Sequence, residues 1–402
     1  MNGEIRGWSS DSESLAPEIA AAIAQLQGLG HEDPIVLAYH PVARVNPYQA
    51  LLYQAAWEHG IAPIRLYDLA DLDDVVAVAD AAGVRPVLHL HWTNGVLART
   101  SGRASGRAAL SQFTEKLDRF IAGGGALIWT VHNAIPHDAR LRDLEAELQQ
   151  AIADRCAIVH VLSKNTPAEV AEWFSIPEER TLYVPHPNYI GAYVDTISRL
   201  EARWALALDQ DSTVYALLGA IKPYKGVRQL LDAFETLSER DPGRRQLVVA
   251  GAASPGPEVD DFLRRCVLHP FISLHEGRIP GEDMQLFLRA ADIVVLPYLR
   301  SLNSGVLMLA LSFGLPVVAP AVGGIAEVVT PDIGRTFTPG DADSLLAAML
   351  AADELRNPEA REAALRRARE YDPGRLSADF SRAVVERIRT PRPMALPVAR
   401  GT

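Results

Sequence analysis

Short, uninterrupted apolar runs recur along the whole chain, separated by stretches with a helical period. A run that is apolar at every position has no face for water, so it reads as a strand covered on both sides. Such strands belong to parallel sheets, whose crossover connections lay helices over both faces. Ile35-Val-Leu-Ala38, Val87-Leu-His-Leu-His91, Ala126-Leu-Ile-Trp129 and Ala157-Ile-Val-His-Val-Leu162 make a first series. Val214–Leu218, Gln246–Ala250, Ile272–Leu274, Ile293–Leu296 and Val317–Ala319 make a second. The 402 residues exceed what one core usually supports, and the two series predict an α/β protein of two doubly wound domains. Proline and glycine in Val184–Gly191 give way to a polar helical stretch before Asp211, which sets the expected boundary near residue 205. The second domain is then expected over residues 206–370, and a final helix, Arg375–Ile388, within residues 371–390. The proline-rich end reads as a loose terminus.

Charge and cysteine usage narrow the partners. A net charge of −11 and a pI near 5.5 repel polyanions, so nucleic acid is not an expected partner. Cys156 and Cys266 lie in far-apart segments, which argues against a disulfide framework or a thiolate metal site and fits a reducing cytoplasm. The first residues show no basic segment followed by an apolar core, so no signal peptide is expected. No stretch approaches the ~18 consecutive apolar residues of a spanning helix. At most peripheral membrane contact is expected, at the inner face of the membrane.

Two segments of the second series carry chemistry. In Gly219-Ala-Ile-Lys-Pro-Tyr-Lys-Gly226 a strand ends in glycine, and Lys225 and Gly226 open the helical pattern Val227–Leu237. In Asn303-Ser-Gly305 a polar turn follows the run Ile293–Pro297 and precedes an apolar helix ending at Gly314. Free N–H groups at a helix start, with the positive end of its dipole, suit a phosphate. Lys225 supplies a point charge. An ordinary α/β turn uses glycine and serine for geometry alone, but both segments in one half-chain point to a diphosphate. Gly219, Lys225, Gly226, Asn303, Ser304, Gly305 and Val306 are the candidate ligands.

In the first half, ligands are expected at the carboxyl ends of strands. His89-Leu-His-Trp-Thr-Asn94 puts His89 and His91 on one strand face, and His132, His137 and Asp138 follow the run ending at Trp129. Histidine in such places serves structure as readily as chemistry. His-x-His with His137 or Asp138 would also make a metal set. Asn46-Pro-Tyr48 reads as a plain helix start for Gln49–Glu58, with asparagine as the cap and proline in the first turn.

The order of segments Gly219–Gly226, Val248-Val-Ala-Gly251, Glu276-Gly-Arg-Ile-Pro280, Ala290–Pro297, Gly314-Leu-Pro-Val317 and Gly323-Gly-Ile-Ala-Glu327 resembles the donor half of GT-B glycosyltransferases. It is similar to the group 1, or family 4-like, superfamily that includes mannosyltransferases and sucrose synthase. The resemblance implies two Rossmann-like domains facing across a cleft, with the acceptor in the first and the nucleotide sugar in the second. The last helix would return to the first domain. By the same resemblance His132 reaches the donor sugar from the first domain and holds the ring, Arg278 lies over the nucleobase, and Glu327 lies near the ribose or phosphate. Such enzymes resemble one another in needing no catalytic metal, because cationic side chains and helix N-termini take that role. No cofactor is therefore expected beyond the nucleotide sugar itself.

Many retaining members carry an arginine after the first glycine and two glutamates flanking the phosphate loop; this chain has Ala220, Ser301 and Leu309 there. Lys222 either replaces the arginine charge or is a plain surface lysine. The missing carboxylates point to inversion, as in bacterial exopolysaccharide β-glycosyltransferases that have Ser-Gly in place of the glutamate loop. Inversion needs a general base near the acceptor, for which Asp138, His137 and His91 are candidates. The expectation is a hexosyltransferase that uses a GDP- or UDP-sugar and a glycan, lipid-linked or small-molecule acceptor. A non-catalytic nucleotide-sugar-binding subunit and a GT-B-fold epimerase are the alternatives.

Overall fold

The computed structural model describes residues 14–98, 100–136 and 139–389. Two parallel six-stranded sheets make its framework. The first holds β1 (Ile35–His40), β2 (Ile61–Arg65), β3 (Arg85–Leu90), β4 (Ala126–Val131), β5 (Ile158–Val161) and β6 (Thr181–Tyr183), in the order β2-β1-β3-β4-β5-β6. The second holds β7 (Thr213–Leu218), β8 (Arg245–Gly251), β9 (Ile272–Glu276), β10 (Ile293–Val295), β11 (Val317–Pro320) and β12 (Gly334–Phe337), in the order β12-β11-β10-β7-β8-β9. Central strands such as β4 and β7 are buried at every residue, as their unbroken apolar runs require.

Both sheets reverse their winding beside their first strand. In the first sheet the change falls between β1 and β3, and in the second between β7 and β10. Loops leaving neighbouring strands in opposite directions open a crevice there. The segment Gly219–Gly226 follows β7 and Asn303–Gly305 follows β10, so the two phosphate-binding candidates converge at one crevice. The segments after β1, β3 and β4 bring Asn46, Tyr48, Trp92 and His132 to face it.

The final helix, Pro373–Arg389, lies on the first sheet, where Leu376, Phe380, Val384 and Ile388 share a core with Ile35 and Leu37. Ser377 Oγ accepts from the Ala55 amide at 2.9 Å and donates to the Leu52 carbonyl at 2.7 Å. At the join, Tyr189 and Ala202 already belong to the second sheet's core. The helix Arg199–Ala205 thus packs with the second half, upstream of a break at residue 205. The helix expected over Gln49–Glu58 is helical only over Tyr48–Leu52, followed by a 3-10 turn at Trp57–His59. Asn46 is not its cap. Its Oδ1 accepts from the Tyr48 amide at 3.0 Å and from the Tyr189 hydroxyl at 2.9 Å, which ties the two halves together.

One buried ion cluster anchors the second sheet. Arg203, fully buried, donates to Asp292 Oδ2 at 2.6 Å and to the carbonyls of Asp209, Ser212 and Ala290. Asp292 also accepts from Arg199 at 3.3 Å and from the Val214 amide at 2.9 Å, with Arg356 and Arg361 each 3.7 Å away. A single carboxylate therefore balances four guanidinium groups and fixes the start of β7 against β10. Asp292→Ala is expected to cost about 3 to 5 kcal/mol, because it strands a buried charge among like charges. Chemical denaturation of the variant measures this, and a loss below about 1 kcal/mol would mean that the cluster is dispensable.

Candidate active site

The loop after β7 is shaped by glycine. Gly219 has φ +92° and Gly226 has φ +64°, conformations that a side chain resists. A Cβ at Gly226 would lie 1.9 Å from the Pro297 carbonyl oxygen, so no other residue fits there. This close approach to the β10 loop seats Lys225 beside Tyr298, its Nζ 5.0 Å from the ring centre. Lys225 makes no hydrogen bond or ion pair with any described residue. Desolvation pulls its pKa below the ordinary lysine value. It is a half-buried ammonium group at the cleft wall with no counter-charge among the described residues, the state that an incoming phosphate relieves.

Opposite Lys225 begins the helix Gly305–Ser312. Ser304 caps it by accepting from the Leu307 amide at 3.1 Å. The Gly305 and Val306 amides precede the first intrahelical bond and line the same cleft. A Cβ on Gly305 would come within 3.1 Å of the Tyr189 hydroxyl, so glycine also keeps this opening clear.

The far wall comes from the first domain: Asn46, Tyr48, Trp92, His132, Asn133 and His186. Trp92 stacks on the His132 ring at 4.4 Å and 17°, and Tyr48 meets it edge-on at 5.3 Å. Asn303 Nδ2 donates across the cleft to the His132 carbonyl at 3.4 Å. Burial and neighbouring imidazoles hold the His132 pKa well below its ordinary value. Among the described residues lining this cleft there is no carboxylate.

The structure thus brings together Lys225, Asn303, Ser304, Gly305, Val306 and His132, with Gly219 and Gly226 shaping the loop. It does not bring the other candidates to the same place. His91 is 1% exposed and sits behind His132, with its Nδ1 3.2 Å from His132 Nε2, so it has no free path to an acceptor. Arg278 is exposed in the loop after β9, and Lys222 is half-buried; neither lines the cleft. Glu327 accepts from Ser163 Oγ at 2.7 Å and from the Asn165 amide at 3.2 Å. It also lines a small pocket beside the cleft together with His186, Asn303 and Ser304. Glu169 returns the contact by accepting from the Gly323 amide, and burial raises its pKa. His137 and Asp138 lie outside the described residues.

His89 and His91 stack at 4.2 Å, but both ring nitrogens of His89 are bonded to hydroxyl groups. Among the described residues no three His, Cys, Asp or Glu side chains gather as a metal would require. Cys156 and Cys266 are free and buried. No helix of the described residues is long and apolar enough to cross a membrane.

Sequence reasoning missed His186, Tyr48, Trp92 and Tyr298 as wall residues. His186 sits in a stretch read as a linker, and Tyr48 in one read as a helix start. Their position beside the join of two facing domains was the available signal.

Residues 212–352 match the family model of glycosyl transferases group 1. Over 328 residues the chain is 29% identical to a GDP-mannose:glycolipid 4-beta-D-mannosyltransferase of Xanthomonas campestris pv. campestris, covering 79% of this chain and 82% of that protein. It is 36% identical over 181 residues to a D-inositol 3-phosphate glycosyltransferase of Saccharomonospora viridis, covering 43% of this chain and 42% of that protein. Among solved structures, sucrose-phosphate synthase from Thermosynechococcus elongatus superposes with a TM-score of 0.66 at 19% identity, covering 88% of this chain and 99% of that one. Anabaena Alr3699/HepE in complex with UDP and glucose gives 0.64 at 16%, covering 88% and 100%. The fold, the domain match and the names of these relatives agree on a glycosyltransferase. Residues 212–352 thus carry the glycosyl transferases group 1 match, and the whole chain has the GT-B fold and relatives named as glycosyltransferases.

Proposed function

We propose that the protein transfers a hexosyl group, mannose from GDP-mannose being the leading case, to a hydroxyl of a glycolipid or related glycan, with inversion and without a catalytic metal. The carrying observation is the uncompensated Lys225 ammonium beside the Gly305 and Val306 amides, facing His132 across a cleft without a described carboxylate. The name of the Xanthomonas relative supports the donor, the lipid-borne acceptor and a β-product. A β-mannoside formed from an α-linked sugar nucleotide requires inversion at the anomeric carbon.

In this reading the acceptor oxygen attacks that carbon from the face opposite the diphosphate. The new C–O bond forms as the bond to the phosphate oxygen breaks, and the electron pair leaves with the diphosphate. Lys225 and the two amides take up the charge that develops on it. His132 takes the acceptor's hydroxyl proton. The diphosphate, once bound, is itself the anion that raises the basicity of a histidine otherwise held neutral by burial.

The test is calorimetric binding of GDP, UDP and ADP in the absence of metal and then with magnesium, followed by assignment of the product's anomeric configuration. Metal-free binding of GDP and a β-linked product support the proposal; binding only with magnesium, or an α-linked product, overturns it. Lys225→Met is expected to weaken diphosphate binding by about 1.5 to 3 kcal/mol, the worth of a charge-assisted contact. Unchanged affinity would remove Lys225 from the site.

A further inference from the structure

Behind His132 a single file of hydrogen bonds runs through the first domain. His91 Nδ1 is 3.2 Å from His132 Nε2, and His91 Nε2 is 2.8 Å from the Tyr53 hydroxyl. That hydroxyl is 2.7 Å from His89 Nδ1, and His89 Nε2 is 2.8 Å from Thr130 Oγ1. Thr130 Oγ1 is 2.9 Å from His160 Nδ1, and His160 Nε2 is 2.9 Å from the Val184 carbonyl oxygen. Tyr53, His89, His91, Thr130 and His160 are all buried, so these bonds are made between protein groups alone.

The far end of the file sets its direction. A carbonyl oxygen can only accept, so His160 carries its proton on Nε2 and presents a lone pair at Nδ1. Thr130 has one hydroxyl proton and gives it to that lone pair, which leaves its oxygen to accept from His89 Nε2–H. His89 Nδ1 then takes the Tyr53 proton, and the tyrosine oxygen accepts from His91 Nε2–H. His91 Nδ1 in turn accepts from His132 Nε2–H. Burial keeps every member neutral: it holds His89 and His91 well below the ordinary histidine value, His160 at about 4, and Tyr53 well above the ordinary tyrosine value. Reversing one member alone would set two protons, or two lone pairs, against each other in a buried site.

We propose that Tyr53, His89, His91, Thr130 and His160 are positioning residues that lock His132 as its Nε2–H tautomer, leaving the Nδ1 lone pair for the cleft. His132 Nδ1 has no hydrogen-bond partner among the described residues, and Trp92 and Tyr48 hold the plane of the ring. A carboxylate could orient the imidazole with fewer parts, but it would place a second negative charge near the donor's diphosphate. A neutral file orients the ring without that repulsion. The use of this lone pair in sugar transfer rests on the function proposed above; the lock itself does not.

The test reads protonation directly. Two-bond 1H–15N correlation spectra of the full chain report which nitrogen of each ring carries the proton, with His132→Gln used to assign the His132 signals. At neutral pH the expected result is Nε2–H for His89, His91, His132 and His160. Thr130→Val keeps the side chain's shape and removes its hydroxyl, so His132 should then show both tautomers. In that variant kcat should fall roughly tenfold or more, the kind of loss that follows when a catalytic histidine is held in the wrong tautomer, while the donor KM is unchanged. Thr130→Ser should restore both properties. His132 found as Nδ1–H or doubly protonated in the unaltered chain overturns the lock, as does an unchanged His132 tautomer in Thr130→Val. A lock that is present but whose loss leaves transfer untouched supports the lock and counts against His132 in the proposed reaction.

Discussion

Replacing His132 with glutamine is expected to lower kcat by roughly 10²- to 10⁴-fold, the range for loss of a general base, while diphosphate affinity stays nearly unchanged. Glutamine retains an N–H that can donate to His91 Nδ1, so the file behind it is preserved and the missing property is the basic lone pair. The pH profile adds a second signature. Protonation of His132 removes the base, so kcat/KM should fall on acidification, along a limb below the ordinary histidine value because burial and neighbouring imidazoles lower the free pKa. The bound diphosphate favours the imidazolium, so the same limb in kcat should lie at higher pH. A limb in the carboxylate range, with turnover retained in His132→Gln and lost in Asp138→Asn, would transfer the role to Asp138.

The physical basis of that role was only half legible in the sequence. The second domain could be read closely because its phosphate segments are local: glycine, lysine and serine sit within a few residues of the strand ends that aim them. Gly226 is the clearest case. One residue answers both the turn geometry and the contact with the Pro297 carbonyl, and the sequence displays it as the end of a short glycine motif. The strands not anticipated, β2, β6 and β12, are all edge strands. They bury less and so lack the unbroken apolar run, and β2 even carries Pro63, which an edge tolerates because one side of the strand needs no donor.

The first domain hid its chemistry in relationships that no local pattern encodes. His89 and His91 were visible as a pair on one strand face, but Tyr53, Thr130 and His160 come from three other places along the chain. Their meaning as a directed file depends on strand register: Thr130 lies opposite His160 across β4 and β5, with His89 on the adjoining strand β3. Glu327 is a further case. The family resemblance places it near the ribose or phosphate; what no local pattern displays is that it also accepts from Ser163 and Asn165 of the other domain.

The same burial that keeps these imidazoles neutral should make the protein sensitive to acid. His89, His91, His160 and His186 are each buried and each have a lowered pKa, with His160 and His186 at about 4. Between about pH 4 and 6.5 the unfolded chain binds protons at these positions that the native state refuses, so stability rises with pH through that window and falls as the solution is acidified. From about pH 7.5 to 5.5 each group costs about 1.4 kcal/mol, or about 5 kcal/mol for the four together. That is comparable to the whole stability of many domains. Urea denaturation followed by tryptophan fluorescence should therefore show a midpoint that drops steeply over this range. His160→Gln removes one titrating group and should flatten the slope by about a quarter of the share due to these four, even if it also lowers the plateau at neutral pH. A midpoint that does not move between these pH values would mean that the buried histidines accept protons in the folded state. The tautomer lock, which needs each of them neutral, would then lose its physical ground along with the acid lability.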